Sequence, residues 1–367
     1  MKIIYIVKSR LHFYPPCVSQ IRMIKDLGFD IDVLYGTCDD NTLKLLEEEN
    51  INTIKVSNIK EEYFGKLNKL IGWLKFRLDL KKYLSKNYNK EDILWFGNAE
   101  TVIPMKFLLK GKKYIVSLLE LLDEAPLKRF LLHGILENAR RVTCCEETRA
   151  YIIKYWYSLK YLPDVLPNKA YKQITQKCIE PSNIITKKII DEIKGEDIII
   201  YQGYLQNTEE LLEIAYALKM CKKKYKFVLM GIDEYNSYSK IKDIFSNTVF
   251  YEYVPAPLHL EITSYARIGI LFYRPTILNK AFCAPNKIFE YSGFGIPMIG
   301  NDIPGLNNTI GISRAGRCIT LERNNVLQII EEIEENYEEY KNNALKFFDS
   351  VNNKDVIEKI LIALKEK

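Results

Sequence analysis

The stretch APNKIFEYSGFGIPMIGNDIPGL, residues 284–306, decides the fold. Pro285 suits the first turn of a helix, where a missing N–H costs no hydrogen bond, and a helix is predicted from there to about Phe294. The apolar run from Pro297 to Gly300 predicts a buried strand directly after that helix. A helix followed at once by a short buried strand is typical of a parallel sheet covered by helices.

Two side chains near the start of this helix indicate a ligand site. Lys287 and Glu290 are three residues apart and therefore share one helix face. Free amides, the positive end of the helix dipole and a lysine together favour a diphosphate, and a carboxylate at Glu290 could accept hydrogen bonds from both hydroxyls of a ribose. The alternative is a capped surface helix with an ordinary i,i+3 ion pair.

Short apolar strands alternate with helices on both sides of this stretch. The first half of the chain has predicted strands at 2–7, 30–34, 51–56, 92–96, 113–118 and 141–144, and the second half at 198–201, 226–230, 248–251, 268–272 and 297–300. This alternation predicts an α/β protein with two doubly wound, Rossmann-like parallel sheets. The proline-flanked stretch LPDVLPNKAY, residues 162–171, breaks the pattern and is interpreted as the linker.

The predicted domains are 1–166 and 167–345, followed by a C-terminal helix, 346–367, that could pack back on the first domain. A chain of 367 residues fits two domains of ordinary size. In this plan a ligand is expected in a cleft between the domains, at the carboxyl ends of the strands.

Composition excludes several classes of protein. With 47% apolar and 27% charged residues, the chain is globular rather than disordered or fibrous. No apolar run approaches the roughly 20 residues that cross a bilayer, and the N-terminus lacks a signal-peptide cleavage site, so we expect a cytoplasmic protein. The 8 cysteines and 3 histidines lack the spacing of a disulfide framework or a metal site. We therefore expect no metal, and we also expect no cofactor.

The 284–306 stretch resembles the donor-binding signature of GT-B glycosyltransferases, especially the family 4-like enzymes of bacterial polysaccharide biosynthesis. In that signature a P-x-K-x-x-E-Y helix precedes G-x-P-V-I-x-x-D-x-P-G. Weaker similarities lie in YQGYLQNTEELLEIA (201–215), where such enzymes carry a phosphate loop, and in DVLPNKAY (164–171), where they carry an interdomain V-x-P-N. The resemblance implies a GT-B fold, with the nucleotide-sugar donor in the C-terminal domain and the acceptor in the N-terminal domain.

The resemblance also implies roles for single residues. Glu290 would bind the donor ribose, Lys287 the diphosphate or the sugar, and the backbone at Gly203 and Tyr204 the phosphates. The predicted donor-binding set is Gly203, Tyr204, Arg274, Pro285, Asn286, Lys287, Ile288 and Glu290.

The sequence departs from the family pattern at two places. Phe282 stands where many members carry a glutamate that contacts the sugar hydroxyls. Tyr204 and the pair Gln206-Asn207 stand where the phosphate loop usually supplies Arg and Lys. Arg274, just after the predicted strand 268–272, could supply the missing cation; the alternative is an ordinary surface arginine.

The N-terminal domain offers candidates for the acceptor side. Glu120 lies just past the strand 113–118, at the sheet edge where ligands bind, and could deprotonate an acceptor hydroxyl. The alternative is that Glu120 and its acidic neighbours cap the next helix. The loop 9–16 follows the first strand, and its His12, Phe13 and Tyr14 suit contact with a sugar ring or a lipid-linked acceptor. The predicted catalytic residues are thus Glu120 and Lys287, with His12, Phe13 and Tyr14 at the acceptor.

One segment carries most of the surplus positive charge. Residues 65–90 contain eight Lys or Arg against one Asp, with apolar residues at helical spacing. This pattern suits an amphipathic helix lying on an anionic membrane. The alternative is a domain helix whose lysines face solvent. A single basic segment without a recognised motif does not favour nucleic-acid binding.

The resemblance implies a retaining hexosyltransferase, and the helix start with Lys287 suits a reaction without a metal. The enzyme would move a sugar from a nucleotide donor, a UDP-sugar by family resemblance, to a hydroxyl of a glycan or lipid-linked saccharide in surface polysaccharide synthesis. The helix dipole and Lys287 would stabilise the leaving diphosphate in place of a metal. Two alternatives stay open: a non-catalytic two-domain ligand-binding protein, which needs no base at Glu120, and a nucleotide-sugar epimerase of the same fold, which needs no acceptor loop.

Overall fold

The computed structural model describes residues 1–56, 66–205 and 208–365, which form two compact units. The N-terminal unit comprises Met1–Tyr171 and Asn352–Lys367, and the C-terminal unit comprises Lys172–Val351. The divisions therefore fall later in the chain than the predicted 166/167 and 345/346.

Hydrogen bonds and burial explain the later divisions. The amide of Tyr171 donates to Ser19 Oγ at 3.1 Å, and the Arg22 guanidinium donates to the Tyr171 carbonyl at 3.2 Å, so the chain stays attached to the N-terminal unit through Tyr171. At the other end, Ala344 and Phe348 belong to the buried core of the C-terminal unit, which keeps the helix around them in that unit.

The described part of the N-terminal unit contains a seven-stranded parallel sheet in the order β3-β2-β1-β4-β5-β6-β7. The strands are β1 Lys2–Arg10, β2 Asp30–Thr37, β3 Asn52–Lys55, β4 Ile93–Phe96, β5 Lys113–Leu118, β6 Arg141–Cys144 and β7 Asp164–Val165. The helices are α1 Pro15–Asp26, α2 Asp40–Glu48, α3 Lys66–Asn87, α4 Ala99–Val102, α5 Pro126–Glu137 and α6 Glu147–Trp156, with short 3-10 helices at Leu11–Phe13 and Ile103–Leu108.

The C-terminal unit contains, in its described residues, a six-stranded parallel sheet in the order β10-β9-β8-β11-β12-β13. Its strands are β8 Ile198–Tyr204, β9 Lys226–Ile232, β10 Thr248–Glu252, β11 Ala266–Leu271, β12 Met298–Asn301 and β13 Gly316–Ile319. Its helices are α7 Ile184–Ile193, α8 Thr208–Met220, α9 Ser237–Ile244, α10 His259–Thr263, α11 Leu278–Ala281, α12 Asn286–Gly293, α13 Pro304–Leu306, α14 Arg323–Glu335 and α15 Tyr337–Ser350, with a π-helical turn at Asn307–Gly311.

The last helix, α16 Asn353–Lys365, belongs to the N-terminal unit. Ile357, Ile360 and Leu361 are buried in a cluster that also contains Ile21 and Ile24 of α1. Apolar residues at positions i, i+3 and i+4 form one face of α16, and that face packs against α1.

Both faces of the C-terminal sheet are covered. Ile198 and Ile200 of β8 lie in one buried cluster, whereas Ile199 and Tyr201 lie in another. Because successive side chains of a strand point to opposite faces, the two clusters lie on the two sides of the sheet. The prediction of doubly wound parallel sheets is confirmed.

Two local predictions need correction. The supposed linker 162–171 contains β7, whose Asp164 and Val165 pair with Thr143 and Cys144 of β6. Two residues are too short a strand to show an alternating pattern in sequence. Helix α1 begins at Pro15, inside the predicted loop 9–16, because Pro15 and Pro16 fit the first turn, which needs no N–H from either.

Each sheet has one point where the chain reverses the direction in which it adds strands. In the N-terminal unit this switch point lies between β1 and β4, and in the C-terminal unit between β8 and β11. Ligands of open α/β sheets bind beside the carboxyl ends of the strands at such points. Within the described ranges, no helix combines the length and the apolar character needed to cross a membrane.

Candidate functional site

The predicted donor residues of the C-terminal unit lie around its switch point. Helix α12 begins at Asn286, with Pro285 in extended geometry as its N-cap residue and Ile288 buried against the core. Lys287 is half-buried on the first turn, and Glu290 follows one turn later with 9% of its surface exposed. The structure therefore brings Lys287 and Glu290 together at the start of one helix.

The carboxylate of Glu290 has a histidine neighbour that the sequence analysis did not assign. Nε2 of His259, the first residue of α10, lies 3.3 Å from Oε1 of Glu290. Both side chains are largely buried, with 15% and 12% of their side-chain surfaces exposed. His259 and Glu290 are 31 positions apart in sequence, and they meet because α10 packs against α12.

The ionisation of Glu290 reflects this pairing. Burial alone would raise the pKa of the carboxyl, but His259, and to a smaller extent Lys287, outweigh burial and lower the pKa to about 2. The other oxygen, Oε2, is buried, and none of the described residues forms a hydrogen bond with it. A buried carboxylate oxygen without a donor is costly, so a hydroxyl donor supplied from outside the chain would relieve that cost.

Two glycines lie near the carboxyl ends of two adjacent strands of this sheet. Gly203 of β8 and Gly231 of β9 are aligned across the ladder, with φ of 144° and 149°. A Cβ on Gly231 would lie 1.8 Å from the carbonyl oxygen of Gly203, so only glycine fits there. Tyr204 continues β8 and packs edge-on against Tyr235, with ring centroids 6.4 Å apart. Gln206 and Asn207 lie outside the described residues.

Arg274, predicted to bind a donor phosphate, forms ion pairs with two glutamates of α8. Its guanidinium binds the Glu210 carboxylate through two hydrogen bonds of 2.9 Å and the Glu209 carboxylate through one of 3.0 Å. The hydrogen bond with Glu210 raises the pKa of Arg274 above its ordinary value. Both acids stand in the first turn of α8, where they also satisfy the helix dipole. Donor binding by Arg274 stays a prediction that requires the guanidinium to leave these carboxylates.

The predicted acceptor residues follow β1 in the N-terminal unit. His12 and Phe13 are in the 3-10 helix Leu11–Phe13, their rings 4.5 Å apart, and Phe13 is 58% exposed. Tyr14 is the N-cap residue of α1, and its hydroxyl lies 3.5 Å from Ser9 Oγ.

Glu120 lies within electrostatic range of Tyr14 in this loop. It is exposed and follows β5, next to β4 in the sheet, and its charge acts on Tyr14. Burial, together with smaller effects of Glu100 and Glu120, raises the pKa of Tyr14. Since β1, β4 and β5 are adjacent, Tyr14, Glu100 and Glu120 occupy one edge at the switch point. Glu100 is in an ion pair with Lys128, and Glu120 is the more accessible carboxylate.

His12 also belongs to a cluster of three residues whose side chains are of types that can bind a metal ion. Ligand atoms of His12, Cys38 and Asp39 lie within 4.8 Å of one another. However, His12 Nδ1 accepts the Asp39 amide at 3.2 Å, and the Asp39 carboxylate accepts the Thr42 amide at 2.7 Å. In the absence of a metal, burial raises the pKa of the Cys38 thiol to about 11. Two of the three side chains thus already accept hydrogen bonds from backbone amides, and the expectation of a metal-free reaction stays a prediction.

Comparison with known proteins finds similarity in structure alone. No family model and no curated protein sequence matches the chain. HepE of Anabaena, in complex with UDP-glucose, is 13% identical with a TM-score of 0.69 over 100% of both chains. WaaG, a glycosyltransferase involved in lipopolysaccharide biosynthesis, is 10% identical with a TM-score of 0.62, again over 100% of both chains. A putative UDP-N-acetylglucosamine 2-epimerase of Listeria monocytogenes is 11% identical with a TM-score of 0.64, over 100% of this chain and 96% of that one. The predicted GT-B fold is confirmed.

Proposed function

We propose that this protein is a glycosyltransferase that takes its sugar from a nucleoside diphosphate donor bound in the C-terminal unit. The observation that carries the proposal is the Glu290 carboxylate, buried one turn into α12 with Oε2 unbonded among the described residues. Two ribose hydroxyls would supply the missing donors, and a diphosphate would then lie toward the free amides at the helix start. HepE was solved with UDP-glucose, which supports a UDP-sugar as the donor.

The transfer step needs a leaving group and a base. The acceptor oxygen forms a bond to the anomeric carbon as the bond from that carbon to the diphosphate oxygen breaks. Lys287 and the first amides of α12 would stabilise the departing diphosphate without a metal or other cofactor. Glu120 would take the proton of the acceptor hydroxyl, and His12, Phe13 and Tyr14 would hold the acceptor. Retention of the anomeric configuration rests on the family resemblance.

The acceptor in this proposal is a glycan or lipid-linked saccharide of surface polysaccharide synthesis. WaaG acts in lipopolysaccharide biosynthesis, which favours an acceptor of this class. A lipid-linked acceptor would require the protein to work at the inner face of the cell membrane, with the basic segment 65–90 against anionic lipid. Gly65, the first residue of that segment, lies outside the described residues.

The test is thermal unfolding with UDP, GDP, CMP, dTDP and ADP, each at millimolar concentration. A ligand that binds only the folded state raises the midpoint. We expect one nucleoside diphosphate to stabilise the protein and the effect to be lost in Glu290→Gln. Lys280→Gln, an exposed lysine on the neighbouring α11, is the matched control and should keep the shift. No shift with any nucleotide would contradict the proposal and favour a binding protein that shares only the fold.

An epimerase is the second candidate, since one structural neighbour is a putative UDP-N-acetylglucosamine 2-epimerase. Both candidates bind a nucleotide sugar, so nucleotide binding does not separate them. The two differ in whether the sugar is transferred from the diphosphate to an acceptor. Incubation with UDP-sugars alone, followed by NMR of the sugar ring, would show a changed ring configuration for an epimerase and an unchanged donor for a transferase.

A further inference from the structure

Helix α3 has two apolar faces, whereas its sequence pattern predicted one. Phe76, Leu80 and Leu84, spaced four residues apart, are buried and attach the helix to the N-terminal unit. On another face, Ile71, Leu74 and Leu78 are 54%, 52% and 66% exposed. Their spacing of three and four residues puts them on one side of the helix. Among the described residues, the packing of α3 on the N-terminal unit therefore leaves this second apolar face exposed.

Neighbouring elements extend this apolar surface. The 3-10 helix Ile103–Leu108 packs against both α3 and α5, and its Phe107 is 75% exposed. The guanidinium of Arg77 on α3 lies 5.2 Å from the centre of the Phe107 ring. On α5, Leu127 and Phe130 are 70% and 75% exposed and share one side of the helix. We name this surface the α3–α5 face; it comprises Ile71, Leu74, Leu78, Phe107, Leu127 and Phe130.

Positive charge surrounds the α3–α5 face. Lys75, Lys81 and Lys82 are exposed on α3, and Lys106 is exposed beside Phe107. The sequence of α3 contains seven Lys or Arg and a single acid, Asp79. Scattered exposed apolar side chains are ordinary on protein surfaces, but six large ones on three adjacent elements with basic neighbours are not. Aliphatic and aromatic groups ringed by lysines match the boundary between anionic headgroups and acyl chains.

We propose that the α3–α5 face docks on an anionic lipid bilayer, with its large apolar side chains inserted among the acyl chains and its lysines at the headgroups. A second copy of the chain fits less well, because a symmetric contact through this face would bring the two sets of lysines together. The proposal deepens the proposed function and rests on it in one respect only. A lipid-linked acceptor would be reached from the surface of the bilayer, which gives the docking its purpose.

The experiment measures binding of the full-length protein to vesicles. Sedimentation is compared between vesicles of phosphatidylcholine alone and vesicles that also contain phosphatidylglycerol. The comparison separates the apolar from the charged contribution to binding. The test variants are Leu78→Asn/Phe130→Asn and Lys81→Gln/Lys82→Gln. The matched control is Ile184→Asn/Ile312→Asn, two apolar residues of the C-terminal unit that are 78% and 77% exposed. Since all these residues are exposed, we expect unchanged unfolding midpoints.

We expect the protein to bind the anionic vesicles, and Leu78→Asn/Phe130→Asn to bind at least about tenfold more weakly, because each large apolar side chain contributes roughly that factor on burial. Lys81→Gln/Lys82→Gln should bind more weakly and lose part of its salt dependence, and the control should bind like the unchanged protein.

Three results would overturn the proposal. They are no binding to anionic vesicles, equal binding by the test and control variants, and a concentration-dependent dimer that Leu78→Asn/Phe130→Asn abolishes in the absence of lipid. The last result would make a second copy the occupant. Nucleotide binding is measured on the same preparations by thermal shift, so failure of the donor site and failure of the α3–α5 face are seen separately.

Discussion

His259 Nε2 lies 3.3 Å from Glu290 Oε1, and this contact connects the segment after β10 to the start of α12. The histidine contacts one carboxylate oxygen, and the other, Oε2, is buried without a hydrogen bond from any described residue. The histidine therefore orients the carboxylate and maintains its charge in a buried position, where burial alone would favour the neutral acid. In this role His259 is a positioning residue.

The positioning role predicts a pH-dependent defect in His259→Ala. With His259 present, the pKa of Glu290 is about 2, so the carboxylate is charged throughout the range from pH 8 to pH 5.5. Without the histidine, burial should raise that pKa, and nucleotide affinity should fall as the pH is lowered through this range. Calorimetric titration with UDP at several pH values measures the effect. A uniform loss at every pH would indicate a structural role instead.

Glu290 should also make stability depend on pH in the acid range. Its folded pKa of about 2 lies below the ordinary 4.5, so the charged form stabilises the folded state above about pH 4.5. That contribution is lost as the pH falls from 4.5 toward 2. Chemical denaturation at pH 6, 4.5 and 3 should therefore show a smaller loss of unfolding free energy in Glu290→Gln than in the unchanged protein. If the unfolding free energies of the two proteins changed in parallel with pH, the lowered pKa of Glu290 would be contradicted.

Gly231→Ala should destabilise the protein by about 2 to 4 kcal/mol, through a backbone clash and an unfavourable φ together. The added Cβ would meet the Gly203 carbonyl oxygen at 1.8 Å, and the φ of 149° is rare for residues with a side chain. Gly111→Ala is the control, because its φ is 73° but no atom lies within 4 Å of the added Cβ. Denaturation should show a cost of only about 1 kcal/mol there. Equal costs for the two variants would remove the close approach of the strands as the cause.

The sequence predicted that Lys287 and Glu290 share one helix face because the signals for this pairing are local. Pro285, Lys287 and Glu290 lie within six consecutive residues, so helix geometry alone brings Lys287 and Glu290 together. The alternation of strands and helices likewise predicted both parallel sheets, since buried parallel strands form recognisable apolar runs.

The features that the sequence missed depend on contacts between distant residues. His259 is a lone histidine in sequence, and only the packing of α10 on α12 puts it beside Glu290. Arg274 follows β11 as expected, but its bonds to Glu209 and Glu210 cross from a segment more than 60 residues away. The second apolar face of α3 was missed because a helix pattern shows which residues are apolar and not which face the domain covers.

The bonds of Arg274 predict that the carboxylate of Glu210 competes with a phosphate. Glu210→Gln removes the carboxylate that accepts two hydrogen bonds from Arg274. Glu209 remains, but its carboxylate is mostly exposed. If Arg274 binds the donor diphosphate, Glu210→Gln should tighten UDP by roughly three- to tenfold and leave uridine unchanged, since uridine has no phosphate. Glu213→Gln, on the same helix α8, is the control, because it removes the carboxylate partner of another arginine, Arg323 of α14. Unchanged UDP affinity in Glu210→Gln would leave Arg274 as a structural residue that anchors α8.

Glu120 is predicted to affect transfer and not donor binding. Because Glu120 is exposed beyond β5, Glu120→Gln should keep the unfolding midpoint and the nucleotide shift of the unchanged protein. Loss of a general base should lower transfer by about 10² to 10⁴-fold, measured as UDP release that depends on added acceptor. Glu124→Gln, another exposed acid of the same loop, is the control and should stay active. Full activity in Glu120→Gln would move the base elsewhere, and Glu100, at the same sheet edge and within reach of Tyr14, would be the next carboxylate to replace.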